Sequence, residues 1–158
     1  MPFVRPDVAA FLNLANNAPG PKINEMAPTA ARKMMRDMGM YGELPRGPIA
    51  RVENISIPAP EGHAIPARLY AHTADATLPA PVLLYFHGGG WVIGDLETHD
   101  SLCAEIARES GLTVIAIDYR LAPEYPFPAG INDCFTATRW AASAPAVIGH
   151  GVTGLVVA

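Results

Sequence analysis

The spacing of apolar side chains changes character twice along the chain. Phe3, Val8, Phe11, Leu12 and Ala15 fall near one face at helical spacing. Residues 3–17 are therefore expected to form a helix, ended by Asn16, Asn17 and the Pro19-Gly20-Pro21 run. A second helix is expected over residues 29–40, with Met34, Met35 and Met38 among its apolar positions, Pro28 at its start and Gly39 and Gly42 at its end. From Val52 to Ile57 apolar and polar residues alternate, as in a half-exposed strand. Glu61-Gly62-His63 reads as a turn, and Ile65 to Tyr70 alternate again, which predicts a hairpin.

Beyond a loop rich in Ala, Pro and Thr at Ala74 to Pro81, the pattern becomes near-continuously apolar. Val82–Phe86, Thr113–Ile117 and Gly154–Ala158 read as strands buried on both faces. Residues 101–110 and 131–142 return to helical spacing, the first turning Leu102, Ile106 and Ala107 inward, the second carrying Phe135, Thr138 and Trp140. A hairpin followed by buried strands alternating with helices predicts an α/β architecture, a mostly parallel sheet with helices on both faces.

Composition narrows the partners. The 158 residues carry a net charge of -4 and no Lys- or Arg-rich run, which argues against nucleic acid and anionic membrane. The apolar runs are too short to span a bilayer. Residues 1–17 lack a basic stretch followed by a continuous apolar one, so no secretory signal is read and a cytoplasmic location is expected. Cys103 and Cys134 are too few for a disulfide framework or a metal site and are expected as reduced, half-buried thiols. No metal or cofactor is expected.

The candidate chemistry lies directly after the Val82–Phe86 strand, at His87-Gly88-Gly89-Gly90-Trp91. Three consecutive glycines are entropically costly and suit a backbone that needs unusual dihedrals or close approach. After a central parallel strand they fall at the carboxyl edge of the sheet, where α/β proteins build their sites. Their N–H groups could stabilise charge developing on a carbonyl oxygen. The spacing fits neither dinucleotide- nor nucleotide-phosphate signatures, and no lysine follows.

His87-Gly88-Gly89-Gly90-Trp91 with Gly94, then His99-Asp100, Asp118-Tyr119-Arg120-Leu121-Ala122-Pro123-Glu124, Pro126-Phe127-Pro128-Ala129 and Asp133 together resemble the hormone-sensitive-lipase family of bacterial esterases. The resemblance covers about residues 50–158. It implies an α/β-hydrolase fold, with residues 49–158 as the N-terminal half of the catalytic domain and residues 1–48, a looser match, as a helical cap over the site. It further implies a serine carboxylesterase acting on small, fairly apolar esters, with Gly88, Gly89 and Gly90 supplying two legs of an oxyanion hole. His87 would orient the loop or merely cap the strand. Trp91 would line the substrate pocket or, the plainer reading, pack under the loop. Met34 and Met38 would border an acyl pocket or belong to ordinary helix packing. Arg120 and Glu124 read as braces of their loop, and Asp100 and Asp133 as braces rather than as the catalytic acid. In this fold the triad runs Ser, acid, His, so an acid upstream of the serine is out of order.

Ser56, Ser101, Ser110 and Ser143 do not lie in Gly-x-Ser-x-Gly, and none follows a buried strand at a sharp turn. The triad is therefore expected after Ala158, with the family's Gly-Asp-Ser-Ala-Gly next in line. It would come from a complementary C-terminal half, as a separate chain or a continuation; a homodimer is also compatible. His63, His72, His99 and His150 are expected as solvated loop side chains. The strand ending at Ala158 should expose an apolar edge, so this half is not expected to fold alone. The rival reading is a catalytically inactive binding or receptor protein on the same fold.

Overall fold

A computed structural model describes residues 3–42, 45–73 and 78–158, the side chains of 39–42 excepted. The elements run α1 (Pro6–Asn16), α2 (Pro28–Gly42), β1 (Arg51–Pro58), β2 (Ala64–Ala71), β3 (Ala80–Phe86), α3 (Asp100–Ser110), β4 (Thr113–Ile117), α4 (Ala129–Ala142) and β5 (Val152–Val157). Short 3-10 turns at Ile23–Glu25 and Ala146–Ile148 were not apparent from the pattern. Part of the loop expected at Ala74 to Pro81 lies outside the described residues.

The five strands form one sheet in the order β1-β2-β4-β3-β5. β1 and β2 are the expected hairpin, with Arg51 opposite Ala71 and Pro58 opposite Ala64. β2 joins β4 antiparallel, whereas β4, β3 and β5 are mutually parallel. β3 is thereby flanked on both sides by parallel strands, and its carboxyl end sits where two loops converge.

Alternation along the strands sorts side chains onto two cores. Leu69, Val82, Leu84, Ile115 and Ile117 face one way and pack with Ala137 and Ala141 of α4. Tyr70, Leu83, Val114 and Ala116 face the other way and pack with Cys103, Ala104 and Ala107 of α3. The small inward residues of both helices let them approach the sheet closely. Gly111, at φ 72, ends α3 in the left-handed conformation that glycine adopts at low cost.

Three expectations need correction. Leu102 is exposed, because α3 turns Cys103, Ala104 and Ala107 to the sheet, one residue out of the expected phase. β5 begins at Val152, and Val156 and Val157 are exposed, because within this chain β5 is the edge of the sheet and not a covered interior strand. α1 buries no residue: Val8, Phe11 and Leu12 face solvent, as does Phe3 just before the helix, so its apolar face does not pack over the rest of this chain. Both cysteines are free, Cys103 buried and Cys134 half-buried; burial pushes the Cys103 thiol up to about 12 and keeps it protonated.

Candidate functional site

The glycine loop leaves β3 at Phe86 and turns at once. Gly89 has φ 129, and Gly90 and Trp91 each have φ 60. A Cβ on Gly89 would stand 2.0 Å from the Ile93 carbonyl oxygen, so this position admits only glycine. Trp91 pays for its left-handed backbone with steric strain of about 1–2 kcal/mol. Such positions cluster where a site needs a fixed, unusual backbone. The turn is closed by Val92 and Ile93, whose N–H groups both donate to the Gly89 carbonyl at 3.1 Å. Among the described residues, none of the loop and turn backbone bonds is donated by Gly88, Gly89 or Gly90. Nothing lies within 4 Å of where a Cβ on Gly88 or Gly90 would sit. The loop is therefore open on the side where Cβ atoms of Gly88 and Gly90 would stand.

His87 braces the loop from beneath. Its side chain is buried, 5% exposed, and Nδ1 lies 2.8 Å from the Gly88 carbonyl. A carbonyl can only accept, so Nδ1 carries the proton and Nε2 is a bare acceptor. Nε2 is buried without a partner among the described residues. Burial also pushes the imidazole pKa down, favouring the neutral ring. The ring stacks on Tyr119 at 4.5 Å between centroids and lies 5.5 Å from His99. The Tyr119 hydroxyl donates to the His87 carbonyl at 2.5 Å. His87 thus ties the start of the glycine loop to the segment after β4.

That neighbouring segment is held as expected, by braces. Asp133 is 1% exposed and accepts bonds from the Arg120 backbone N–H (2.9 Å), Arg120 Nη2 (2.9 Å) and, at 2.9 Å, the His63 ring. Burial alone would raise its pKa; the bonds from Arg120 outweigh that and hold the carboxyl below the usual range. Asp100 accepts from Arg68 (2.7 Å), Tyr70 (2.8 Å) and Arg46 (3.0 Å). Neither acid is free to serve as a catalytic base. Glu124 pairs with Arg32 of α2 at 2.7 Å, which holds its carboxyl down at about 2.

Other residues depart from expectation. Trp91 is 68% exposed, so it does not pack under the loop; its left-handed backbone turns the indole outward beside Gly130. His63, His99 and His150 are not merely solvated: His63 joins Asp133, His99 stacks on His87 and meets Tyr85 at a tilt, and His150 lies 2.9 Å from Thr113 Oγ1. Met34 is half-buried and Met38 is 56% exposed on α2, the helix that Arg32 anchors to this loop. Arg32 itself escaped sequence reasoning. Its signal was the i, i+4 pair Arg32 and Arg36 beside the methionines.

At the carboxyl edge, β5 completes the geometry. Ala158 donates its N–H to Leu84 (3.0 Å) and accepts from the Phe86 N–H (2.9 Å). The strand therefore runs level with the start of the glycine loop.

A profile of the α/β hydrolase fold matches residues 83–158, the stretch that contains this loop and β5. The fold is that of an α/β hydrolase, and the chain is similar to esterases of hormone-sensitive-lipase type. Esterase LipI of Mycobacterium tuberculosis is 43% identical over 133 residues, covering 82% of this chain and 39% of that protein. Ethyl acetate hydrolase of Pseudomonas putida is 35% identical, covering 98% and 50%. The crystallographically solved hyperthermophilic esterase of Pyrobaculum calidifontis superposes with a TM-score of 0.86 at 34% identity, over 99% of this chain and 49% of that one. The chain thus spans about half the length, or less, of these relatives. No helix among its described residues is long and apolar enough to cross a membrane.

Proposed function

We propose that this chain supplies the oxyanion side of a serine carboxylesterase. The observation that carries the reading is the pairing of β3 with β5: Gly88–Gly90 follow Phe86 directly, and Phe86 is hydrogen-bonded to Ala158. A serine placed two or three residues beyond Ala158 would emerge beside the glycine amides. In that arrangement the serine oxygen attacks the ester carbonyl and its proton passes to a histidine of the second half. The carbonyl oxygen, now negative, accepts bonds from the glycine N–H groups. One such donor contributes about 2.7–4 kcal/mol in characterised hydrolases. The tetrahedral species then expels the alcohol, and water hydrolyses the acyl-enzyme.

Residues 1–48 act as a cap in this reading, with Met34 and Met38 bordering the acyl group, and the preferred substrates are small, fairly apolar esters. The name of the P. putida relative, ethyl acetate hydrolase, supports that substrate size. The test uses the complete protein. It should hydrolyse short-chain p-nitrophenyl esters with a pre-steady-state burst, and a fluorophosphonate should label one serine in the segment following Ala158. Absence of both hydrolysis and labelling would sink the assignment.

A further inference from the structure

Two arginines of α2 reach the loop that carries the glycines. Arg32 and Arg36 stand four residues apart, so they project from one helix face. The Arg32 guanidinium donates from Nε to the Val92 carbonyl (2.7 Å) and from Nη2 to the Ala122 carbonyl (2.9 Å). It also grips both oxygens of Glu124, at 2.9 and 2.7 Å. Arg36 donates to Asp95 Oδ2, and Asp95 Oδ1 accepts the Thr98 N–H at 2.9 Å. The Ala122 N–H in turn donates to the Trp91 carbonyl at 2.8 Å. The contacts therefore bracket the segment from Trp91 to Thr98, which begins immediately after the glycines and includes the end of their turn.

We propose that Arg32 and Arg36 are positioning residues, a two-point clamp by which α2 fixes the glycine loop and so aims the Gly88–Gly90 amides. Only the kinetic consequence rests on the esterase reading; the clamp itself is a matter of loop order. Arg32 suits the task because its planar fork meets two carbonyls and a carboxylate simultaneously, which the single ammonium of lysine cannot do. Its partners are two loop carbonyls, Val92 and Ala122, and the Glu124 carboxylate, so the bonds fix loop against loop rather than helix against core. Ion pairs this near the surface contribute little to global stability. Activity is more sensitive, since a displacement of roughly 1 Å at a catalytic group can cost about 100-fold in rate. The clamp should therefore show in turnover before it shows in unfolding.

The experiment uses the complete enzyme, residues 1–158 with the polypeptide that completes them. Arg32→Ala should lower kcat by roughly 10- to 100-fold while KM stays within about three-fold, the pattern of an interaction that acts in the transition state. Amide hydrogen exchange should accelerate across residues 88–98 and stay unchanged in β3 and β4. Arg36→Ala should give the same signature more weakly. Arg32→Lys, which keeps the charge, should fall between parent and alanine variant. Parental kcat with parental loop exchange in Arg32→Ala would overturn the clamp, as would exchange accelerated equally through the whole sheet. If Arg32→Ala does not accumulate as folded protein, Arg32→Lys decides by the same two readouts, and parental values in both overturn the proposal. If the parent enzyme hydrolyses no ester, the esterase reading has failed, and the exchange pattern alone decides the clamp.

Discussion

At the scale of single residues, neighbouring glycines of one motif have opposite reasons to be glycine. Gly89 sits at φ 129 with the Ile93 carbonyl 2.0 Å from a would-be Cβ. Gly88 has an ordinary dihedral and open space where its Cβ would be. Gly89→Ala should therefore destabilise the folded protein by about 2 kcal/mol or more, from backbone strain and the clash together. Gly88→Ala should leave the melting temperature within about a degree of the parent, since it removes no contact and strains no dihedral. Its kcat on small esters should nonetheless fall at least ten-fold, because a methyl group there would occupy the approach to the amides. Thermal melts and turnover on the same two variants check both halves. A Gly88→Ala enzyme with full activity would mean that the amide of Gly88 meets no reacting atom. The glycine triplet was legible because unusual dihedrals leave a compositional trace. The partners of His87 and Arg32 were not. His87 meets Tyr119 32 positions away and Arg32 meets Ala122 90 positions away, and local spacing carries no record of such meetings.

At the scale of elements, the loop after β4 is held by a charge cluster whose worth depends on burial. Asp133 of α4 joins that loop through Arg120 and the hairpin turn through His63. Removing one partner of a fully buried pair costs roughly 3–5 kcal/mol. Because Arg120 is 21% exposed, a smaller loss is expected for Asp133→Asn, about 2 kcal/mol in denaturant unfolding. The more exposed Arg51–Glu53 pair sets the comparison, and Glu53→Gln should change stability by less than about 1 kcal/mol. The sign with pH follows from the lowered carboxyl of Asp133. Its contribution is complete above the ordinary aspartate value of about 3.9 and is lost as pH falls toward the lower folded value. The gap between parent and Asp133→Asn should accordingly narrow below about pH 4; a gap that stays constant to pH 2 would rule out an ionised Asp133 as its source. Strand and helix positions were legible because each period has one geometric cause. The phase of α3 and the exposure of α1 were not, since both depend on which neighbours cover a face.

At the scale of the whole molecule, the open edge of the sheet fits the proposal that this chain carries one side of a site. β3 is paired on both sides, but among the described residues β5 is paired only with β3, and Val156 and Val157 of β5 are exposed. Apolar edges of this kind template further strand pairing. α1 adds Phe11 and Leu14, the segment before it Phe3, and the loop before α4 Phe127, all exposed. Scattered exposed apolar residues are ordinary on a folded surface, but a sheet edge together with an uncovered helix face is not. Burying one large apolar side chain is worth about 1.5–3 kcal/mol, so covering several of them amounts to much of a small domain's net stability. A polypeptide of residues 1–158 produced alone is therefore expected to self-associate, and co-production with the C-terminal half of the enzyme should yield a soluble one-to-one complex that hydrolyses short esters. Light scattering of the lone polypeptide, and size-exclusion chromatography with an esterase assay of the pair, read the two outcomes. A lone polypeptide that is monomeric and unfolds in a single cooperative transition would show that the β5 edge needs no cover, and that the second half contributes chemistry but not stability.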